Sequence, residues 1–435
     1  MSVALGLGVG LPFGTGGRRL PPQVQALRFW GEPADLSGAD VASWAGRAPG
    51  NTTFTAAGGE RPDKAAAGLV FSGSDRMTLL ASTLGLGGAN KATVGFWVKI
   101  NSAAFTPNDC IFASADYPNG IGLANSLGTQ WRWITYIGGA SRNGTADNQQ
   151  LPDGWQFVLA AYDGTQATDD ARVQVYTLEH GQAVPTTLTT IGASIPTALP
   201  AASGNAAIGD LPPFNRVPAM TLGGIYVYRD AALTGDEALS LSRLSDPLAG
   251  KRTVLPLGDS LVRGVGDEGN LGGWRGDLLT LAGSSDAFWY HGTIRNDPLL
   301  APNSRHEGNG GYKTNQVLDR YTAAVAAGWD ADIILCCTGR NDISAGEVSS
   351  LPARYNALFT AFGGRRAIMH TVVDTVPSDP NTAVANGHLT TAAAAYPNVT
   401  VVTSSAVGAA DGVHPNAANY ALMAAAYWAA LQPLL

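Results

Sequence analysis

A chain of 435 residues exceeds one typical domain, so two or three are expected. It is 45% hydrophobic, enough for real cores, and only 14% charged, and its net charge of −7 argues against a general nucleic-acid binder. Its three cysteines, Cys110 and the adjacent Cys336 and Cys337, make neither a disulfide framework nor a zinc pattern and read as small buried hydrophobes.

The chain opens with MSVALGLGVGLPFGTGGRR. It lacks a basic leading region, glycine breaks the apolar run, and Arg18 and Arg19 come after it, so this is no conventional signal peptide. No stretch anywhere reaches the ~18 apolar residues of a membrane span. Leu5, Leu7, Val9 and Leu11 alternate with Gly6, Gly8 and Gly10, which puts apolar groups on one face of an extended strand. Residues 1–20 are therefore either a loose tail or a strand that anchors on a partner or a sister subunit.

Residues 21–247 read as an antiparallel β-sandwich. Trp30 and Trp44 flank turn-rich polar sequence with no helical period. In Ala92–Asn101, Val94, Phe96, Val98 and Ile100 point one way and Thr93, Gly95, Trp97 and Lys99 the other, the pattern of a half-buried strand. Trp131–Ile137, Trp155–Tyr162, Arg172–Leu178, Asn205–Ile208 and Leu222–Tyr228 are further strands, separated by Gly, Asn, Asp and Pro. The segments LVFSGSD, GFWVKI, GWQFVLAAYDG and GGIYVYRDAALTGDEALSL resemble the laminin-G/concanavalin A-like jelly roll. That family implies glycan binding, in some members with calcium. No compact acidic cluster is present here, so no metal is assigned, and a spacer or assembly role stays equally open.

After the polar linker Leu244–Lys251 the texture changes. Apolar strands at Thr253–Gly258, Ala287–His291, Ile333–Thr338, Ala367–Val373 and Val399–Thr403 alternate with Ala- and Leu-rich helical stretches. These are Trp274–Leu281, Thr314–Ala327, Ser349–Phe362, Ala383–Ala395 and a last helix from near Pro415 to about Gln432. Strand–helix alternation over residues 253–435 implies a three-layer α/β unit with a parallel sheet.

Four segments of this unit carry candidate chemistry: Gly258-Asp259-Ser260-Leu261, His306–Val317 (HEGNGGYKTNQV), Cys337–Asp342 (CTGRND) and Asp411–Asn416 (DGVHPN). Ser260, expected exposed at a strand's carboxyl end, can act as a nucleophile if a base takes its proton. His414 is the candidate base, since imidazole titrates near neutrality, and Asp411 lies close enough on a turn to orient it. Each segment also has a bland reading. Gly-Asp-Ser occurs in ordinary turns, Asp411-Gly412 could be only a turn beside a surface histidine, and Asn341 or Asp342 could be a helix cap. His180, His291, His370 and His388 have no motif and read as structural.

Taken together and in order, the four segments resemble the SGNH (GDSL) hydrolase family, whose fold is flavodoxin-like. The resemblance implies a Ser260–His414–Asp411 triad. It also implies an oxyanion hole built from the Ser260 N–H, the Gly311 N–H and the Asn341 side-chain amide, and it selects Gly311 over Gly310 because Gly311 directly precedes Tyr312. A glycine fits there because backbone that approaches a ligand closely tolerates no Cβ. His306-Glu307 has at most a shaping role. GGWRGDL, HEGNGGY and the DGVHPNAANYALMAAAYW ending look more narrowly like acetyl-xylan-esterase-type members. Asp259, Tyr312 and Arg340 are the expected substrate contacts. Arg340 stands where many relatives carry glycine, so it would favour acidic sugars or occlude the pocket.

The expected activity is serine-dependent hydrolysis of acetyl or other short acyl esters on a polysaccharide, with no cofactor. The alternative is a virion tail-fibre, spike or head-fibre protein with an active or decayed hydrolase unit. It rests on the glycine-alternating start, the missing export signal and a Trp30–Asn51 segment resembling phage tail-fibre proteins. Either reading places the protein outside the cell or on a virion. A lipase reading lacks support, since no amphipathic lid appears near Ser260.

Overall fold

The computed structural model describes residues 20–435 apart from 37–38, 49–51, 66–67, 101–108, 117–118, 126–131, 138–139, 146–153, 193, 211–218, 268–271, 285–286, 296–302 and 409–410. The expected anchoring strand at the N-terminus lies outside these residues.

The N-terminal half pairs its strands antiparallel throughout, in two sheets of eight and nine strands among the described residues. Lys91–Ile100 and Met220–Arg229 sit at the centre of the first sheet. Phe29, Val94, Phe96 and Val98 from that sheet meet Trp44, Phe54, Ile111, Phe112 and Ile208 from the second in one apolar core. The strands expected from sequence alternation recur here within a residue or two of their expected ends.

The outer face of the first sheet departs from expectation. Lys91–Ile100 is not half-buried, because both Thr93 and Trp97 are buried too. Trp97, Trp155, Phe157, Leu159, Tyr226 and Tyr228 form a second apolar layer under the helix Gly235–Leu244. That helix begins at a capping box: the Thr234 hydroxyl accepts from the Glu237 N–H while the Glu237 carboxylate accepts from the Thr234 N–H. Trp289, from beyond the linker, joins the same layer.

The C-terminal half is a parallel sheet between two helical layers. Its five principal parallel strands are Thr253–Gly258, Arg305–Gly308, Ile333–Cys337, Arg366–His370 and Val399–Val402. Numbered in chain order they lie in the sequence 2-1-3-4-5 across the sheet, the flavodoxin-like order. Trp289–Tyr290 adds a short parallel strand, and Ile294–Arg295 pairs antiparallel with the Arg305 strand at the edge. Alternate residues serve opposite faces, as the pleat requires. Ile334 and Cys336 pack with Val317, Tyr355, Leu358 and Leu389, whereas Ile333, Leu335 and Cys337 pack with Trp274, Leu278, Tyr420 and Tyr427. Cys336 and Cys337 thus face away from each other, and both are free and buried. The last helix starts at Ala417, later than expected. Pro415 precedes the cap, and the Asn416 side chain accepts from the Asn419 N–H at 3.1 Å.

Candidate active site

In a sheet of order 2-1-3-4-5 the neighbours of strand 1 leave in opposite directions, and a crevice opens at the carboxyl ends there. Strand 1, Thr253–Gly258, ends directly before Asp259-Ser260, and strand 3, Ile333–Cys337, ends before Thr338-Gly339-Arg340-Asn341. Gly258 is dictated by contact: a Cβ there would sit 2.0 Å from the Cys337 carbonyl oxygen. Ser260 then opens the short helix Ser260–Arg263. It is only 7% exposed, not standing out in solvent as expected, and among the described residues its hydroxyl has one hydrogen-bond partner.

That partner is His414, whose Nε2 lies 2.9 Å from Ser260 Oγ. The His414 Nδ1 is 2.7 Å from Asp411 Oδ2, while Asp411 Oδ1 accepts the backbone N–H of Val413 at 2.9 Å and of His414 at 2.8 Å. These bonds from the His414 and Val413 backbone and the His414 ring hold the Asp411 carboxyl well below the usual carboxylate range. An ionised carboxylate only accepts, so Nδ1 carries the proton and the Nε2 lone pair is left for the serine hydroxyl. The side chains of His414 and Asp411 are 19% and 56% exposed, so this edge of the site is open.

The glycine and asparagine segments are tied to the nucleophile turn and to each other. Gly308 pairs with Gly258 across the sheet, and the Asn309 N–H donates to the Gly258 carbonyl at 3.1 Å. Gly311 follows with φ +78°, and a Cβ there would meet nothing; glycine is needed for the backbone turn rather than for space. Asn341 Nδ2 donates to the Tyr312 carbonyl at 3.0 Å, which fixes the amide and leaves its second N–H free to serve another acceptor. As first residue of its helix, Ser260 has no intrahelical acceptor for its N–H.

Asp342 proves to be a brace. It is fully buried and accepts from the Thr314 N–H and hydroxyl, each at 2.9 Å, and from Arg354. Glu347 binds both Arg354 and Lys313, closing a network that clamps the glycine segment to the asparagine segment. His306 and Glu307 are also buried. His306 Nδ1 accepts from the Gly308 N–H at 2.9 Å, and Glu307 holds Arg320 and the Thr293 N–H.

Two expected substrate contacts are corrected. Asp259 is fully buried and cannot meet a ligand; its Oδ1 caps the nucleophile helix by accepting from the Leu261 N–H at 3.0 Å. Its Oδ2 has no hydrogen-bond partner among the described residues, and burial pushes the carboxyl up to about 7. Arg340 is only 4% exposed. Its guanidinium turns into the protein, onto the Val373 carbonyl and Thr382 Oγ1 at 2.7 Å, with Asp379 at 3.5 Å. Tyr312 is half-buried, packed partly against the core beneath the glycine segment, and meets Asn341 through its backbone. The Asp342–Arg354–Glu347 brace had no sequence signal beyond the reading of Asp342 as a helix cap.

Among the described residues no cluster of three or more His, Cys, Asp or Glu could hold a metal ion, and no helix is long and apolar enough to cross a membrane.

No family model and no curated protein matches this sequence. Solved structures similar to part of it include a family 3 carbohydrate esterase of Clostridium thermocellum, 21% identical, covering 42% of this chain and 96% of that one at a TM-score of 0.36. A family 3 carbohydrate esterase from Talaromyces cellulolyticus is 21% identical over 42% of this chain and 97% of its own, with a TM-score of 0.35. A GDSL-like lipase from Bacteroides thetaiotaomicron is 15% identical over 42% and 89%, with a TM-score of 0.30. Likeness at this level carries no argument about activity, which rests on the side-chain geometry.

Proposed function

We propose that the protein is a serine esterase that removes acetyl or similarly short acyl groups from a polysaccharide. The observation that supports it most is the unbroken hydrogen-bond line from Ser260 Oγ through the His414 ring to Asp411. Ser260 Oγ attacks the ester carbonyl as His414 Nε2 takes its proton, and Asp411 stabilises the imidazolium. The tetrahedral oxygen takes hydrogen bonds from the Ser260 and Gly311 N–H groups and the second Asn341 amide N–H, each contributing about 3 kcal/mol in the transition state. His414 returns its proton to the leaving alcohol. Water, activated by the same ring, then cleaves the acyl-serine, releases the short acid and restores the hydroxyl.

A polymeric substrate suits the openness of the site. Asp411 and His414 are solvent-accessible, and a Cβ built on Gly310 or Gly311 meets no neighbour. An ester borne on a long chain can reach such an edge without being engulfed. The sandwich, in this reading, holds the polymer outside the cell or at a virion surface.

The test is hydrolysis of p-nitrophenyl acetate and acetate release from acetylated polysaccharides by the wild type and Ser260→Ala. Turnover should vanish in the variant; unchanged turnover would remove the assignment.

A further inference from the structure

The sandwich half meets the α/β half through a wedge, not a flexible tether. After the strand Val173–Leu178 the chain turns at Glu179-His180-Gly181-Gln182 and packs against the amino end of the nucleophile strand, where a Cβ on Gly181 would sit 2.6 Å from the Thr253 side chain. The His180 carbonyl accepts from His291 Nε2 at 2.8 Å, and the Ala183 N–H donates to the Gly328 carbonyl at 2.9 Å. His180 Nδ1 lies 2.6 Å from Asp246 and Nε2 lies 3.0 Å from the Lys251 carbonyl, so the linker is pinned as well.

Glu179 is the centre of this wedge. Its carboxylate, 3% exposed, meets Arg295 at 2.5 Å and Arg305 Nε at 2.7 Å. Both arginines belong to the α/β half and stand opposite each other, Arg295 pairing with Arg305 across the edge ladder. One carboxylate therefore holds two adjacent cations that would otherwise repel. Burial alone would push this carboxyl up, but the two guanidiniums outweigh it and hold it at about 2. Arg305 is also braced by the Gly292 carbonyl at 2.9 Å and by the Trp329 ring, 3.9 Å from its guanidinium carbon.

What Arg305 begins is the strand that delivers the glycine segment. Arg305–Gly308 runs in register with the nucleophile strand, Glu307 opposite Leu257 and Gly308 opposite Gly258, and leads straight into Asn309, Gly310 and Gly311. Arg305 thus stands at the head of the strand whose far end leads into the glycine segment. A buried ion cluster is costly unless its geometry is needed, and a separate binding module would need none across its join.

We infer that Glu179 is a positioning residue: through Arg295 and Arg305 it sets the strand that presents Gly311 to the transition state, so the sandwich is a working part of the esterase. This rests on the esterase reading above.

The test uses full-length Glu179→Gln, Arg305→Lys and Asp246→Asn with p-nitrophenyl acetate, a substrate too small to need a polymer grip. Asp246→Asn loosens the same wedge without touching the Arg305 strand. Glu179→Gln should lower kcat about tenfold or more, since ångström-scale misplacement costs up to about a hundredfold. Its KM should stay within about threefold of wild type, the signature of an interaction made in the transition state. Affinity for a boronic acid, whose adduct places an anionic oxygen at the same donors, should weaken with kcat. Asp246→Asn, assayed where thermal melting shows every variant folded, should leave both near wild type. If Glu179→Gln does not fold, Arg305→Lys, which keeps the charge but loses the two-pronged grip, is held to the same outcome. Equal losses in the wedge variants, or none in any, overturn the inference. Ser260→Ala separates the premises. Turnover that survives it removes the esterase reading, whereas turnover abolished by it yet intact in Glu179→Gln removes only the positioning role.

Discussion

In the α/β half, four buried ionisable side chains, Asp259, Glu307, Arg340 and Asp342, lie around the nucleophile turn. In the sandwich half the space between the sheets is apolar. Among the described residues its buried ionisable side chains are few, and two of them, Glu179 and His180, lie at the wedge against the other half. The difference follows from topology. Parallel strands with crossover helices bring successive loops to one edge, where polar groups from distant segments meet. Antiparallel strands send alternate loops to opposite ends, so no such edge arises. One half thus concentrates chemistry, and the other contributes shape and a charged contact.

Substitutions should divide accordingly. The largest effect is expected for His414→Ala, which should lower kcat about 10⁴–10⁶-fold, as loss of a triad base does elsewhere, while the melting temperature barely moves. The sandwich core should respond the opposite way. Phe96→Ala, buried between the sheets, should lower stability by about 3–5 kcal/mol in denaturant titrations, yet leave kcat per folded molecule intact. A large kcat loss there would mean that the two halves do not divide their labour. Asn341→Ala should cost about 10²–10³-fold in kcat, or ~3–4 kcal/mol, with little change in KM.

In pH dependence, Glu179 in the sandwich half and Asp259 in the α/β half should act with opposite sign. Glu179 is lowered to about 2 from an ordinary value of 4.5. Its stabilisation is complete above 4.5 and drains away as pH falls toward about 2. Asp259 is raised from 3.8 to about 7, so the folded state keeps a proton that the unfolded chain has released. Stability there falls as pH rises through that window, by up to about 1.4 kcal/mol per pH unit. Thermal melting across pH should show both limbs. Glu179→Gln should shrink the acid one, to which other lowered carboxyls such as Asp163 also contribute, and Asp259→Asn should remove the neutral one. A neutral limb unchanged in Asp259→Asn would place its origin elsewhere.

Much of this was legible in the sequence because it was written in local pattern. Alternation at Val94, Phe96, Val98 and Ile100 located a core strand, and apolar runs ending in Gly-Asp-Ser and Gly-Arg-Asn-Asp located strand ends. The outer face of that strand was misjudged because Thr93 is held by the distant Ala231–Leu233 segment and Trp97 is covered by the helix after it, which alternation cannot reveal. Asp259 and Arg340 were misread for a related reason. Adjacency to Ser260 and Asn341 in the chain suggested substrate contact, but a turn sends neighbouring side chains opposite ways, one into a helix cap and the other onto Val373 and Thr382. Glu179 was invisible, since its partners lie more than a hundred residues away, in strands too short to show a pattern.

The account stands most directly on whether Ser260 is activated by His414. Treating the folded protein with a fluorophosphonate and locating the adduct by peptide mass spectrometry measures that. The geometry predicts one stoichiometric adduct, on Ser260, that fails to form in His414→Ala. No adduct, or labelling of Ser260 that proceeds equally fast without the imidazole, would contradict it.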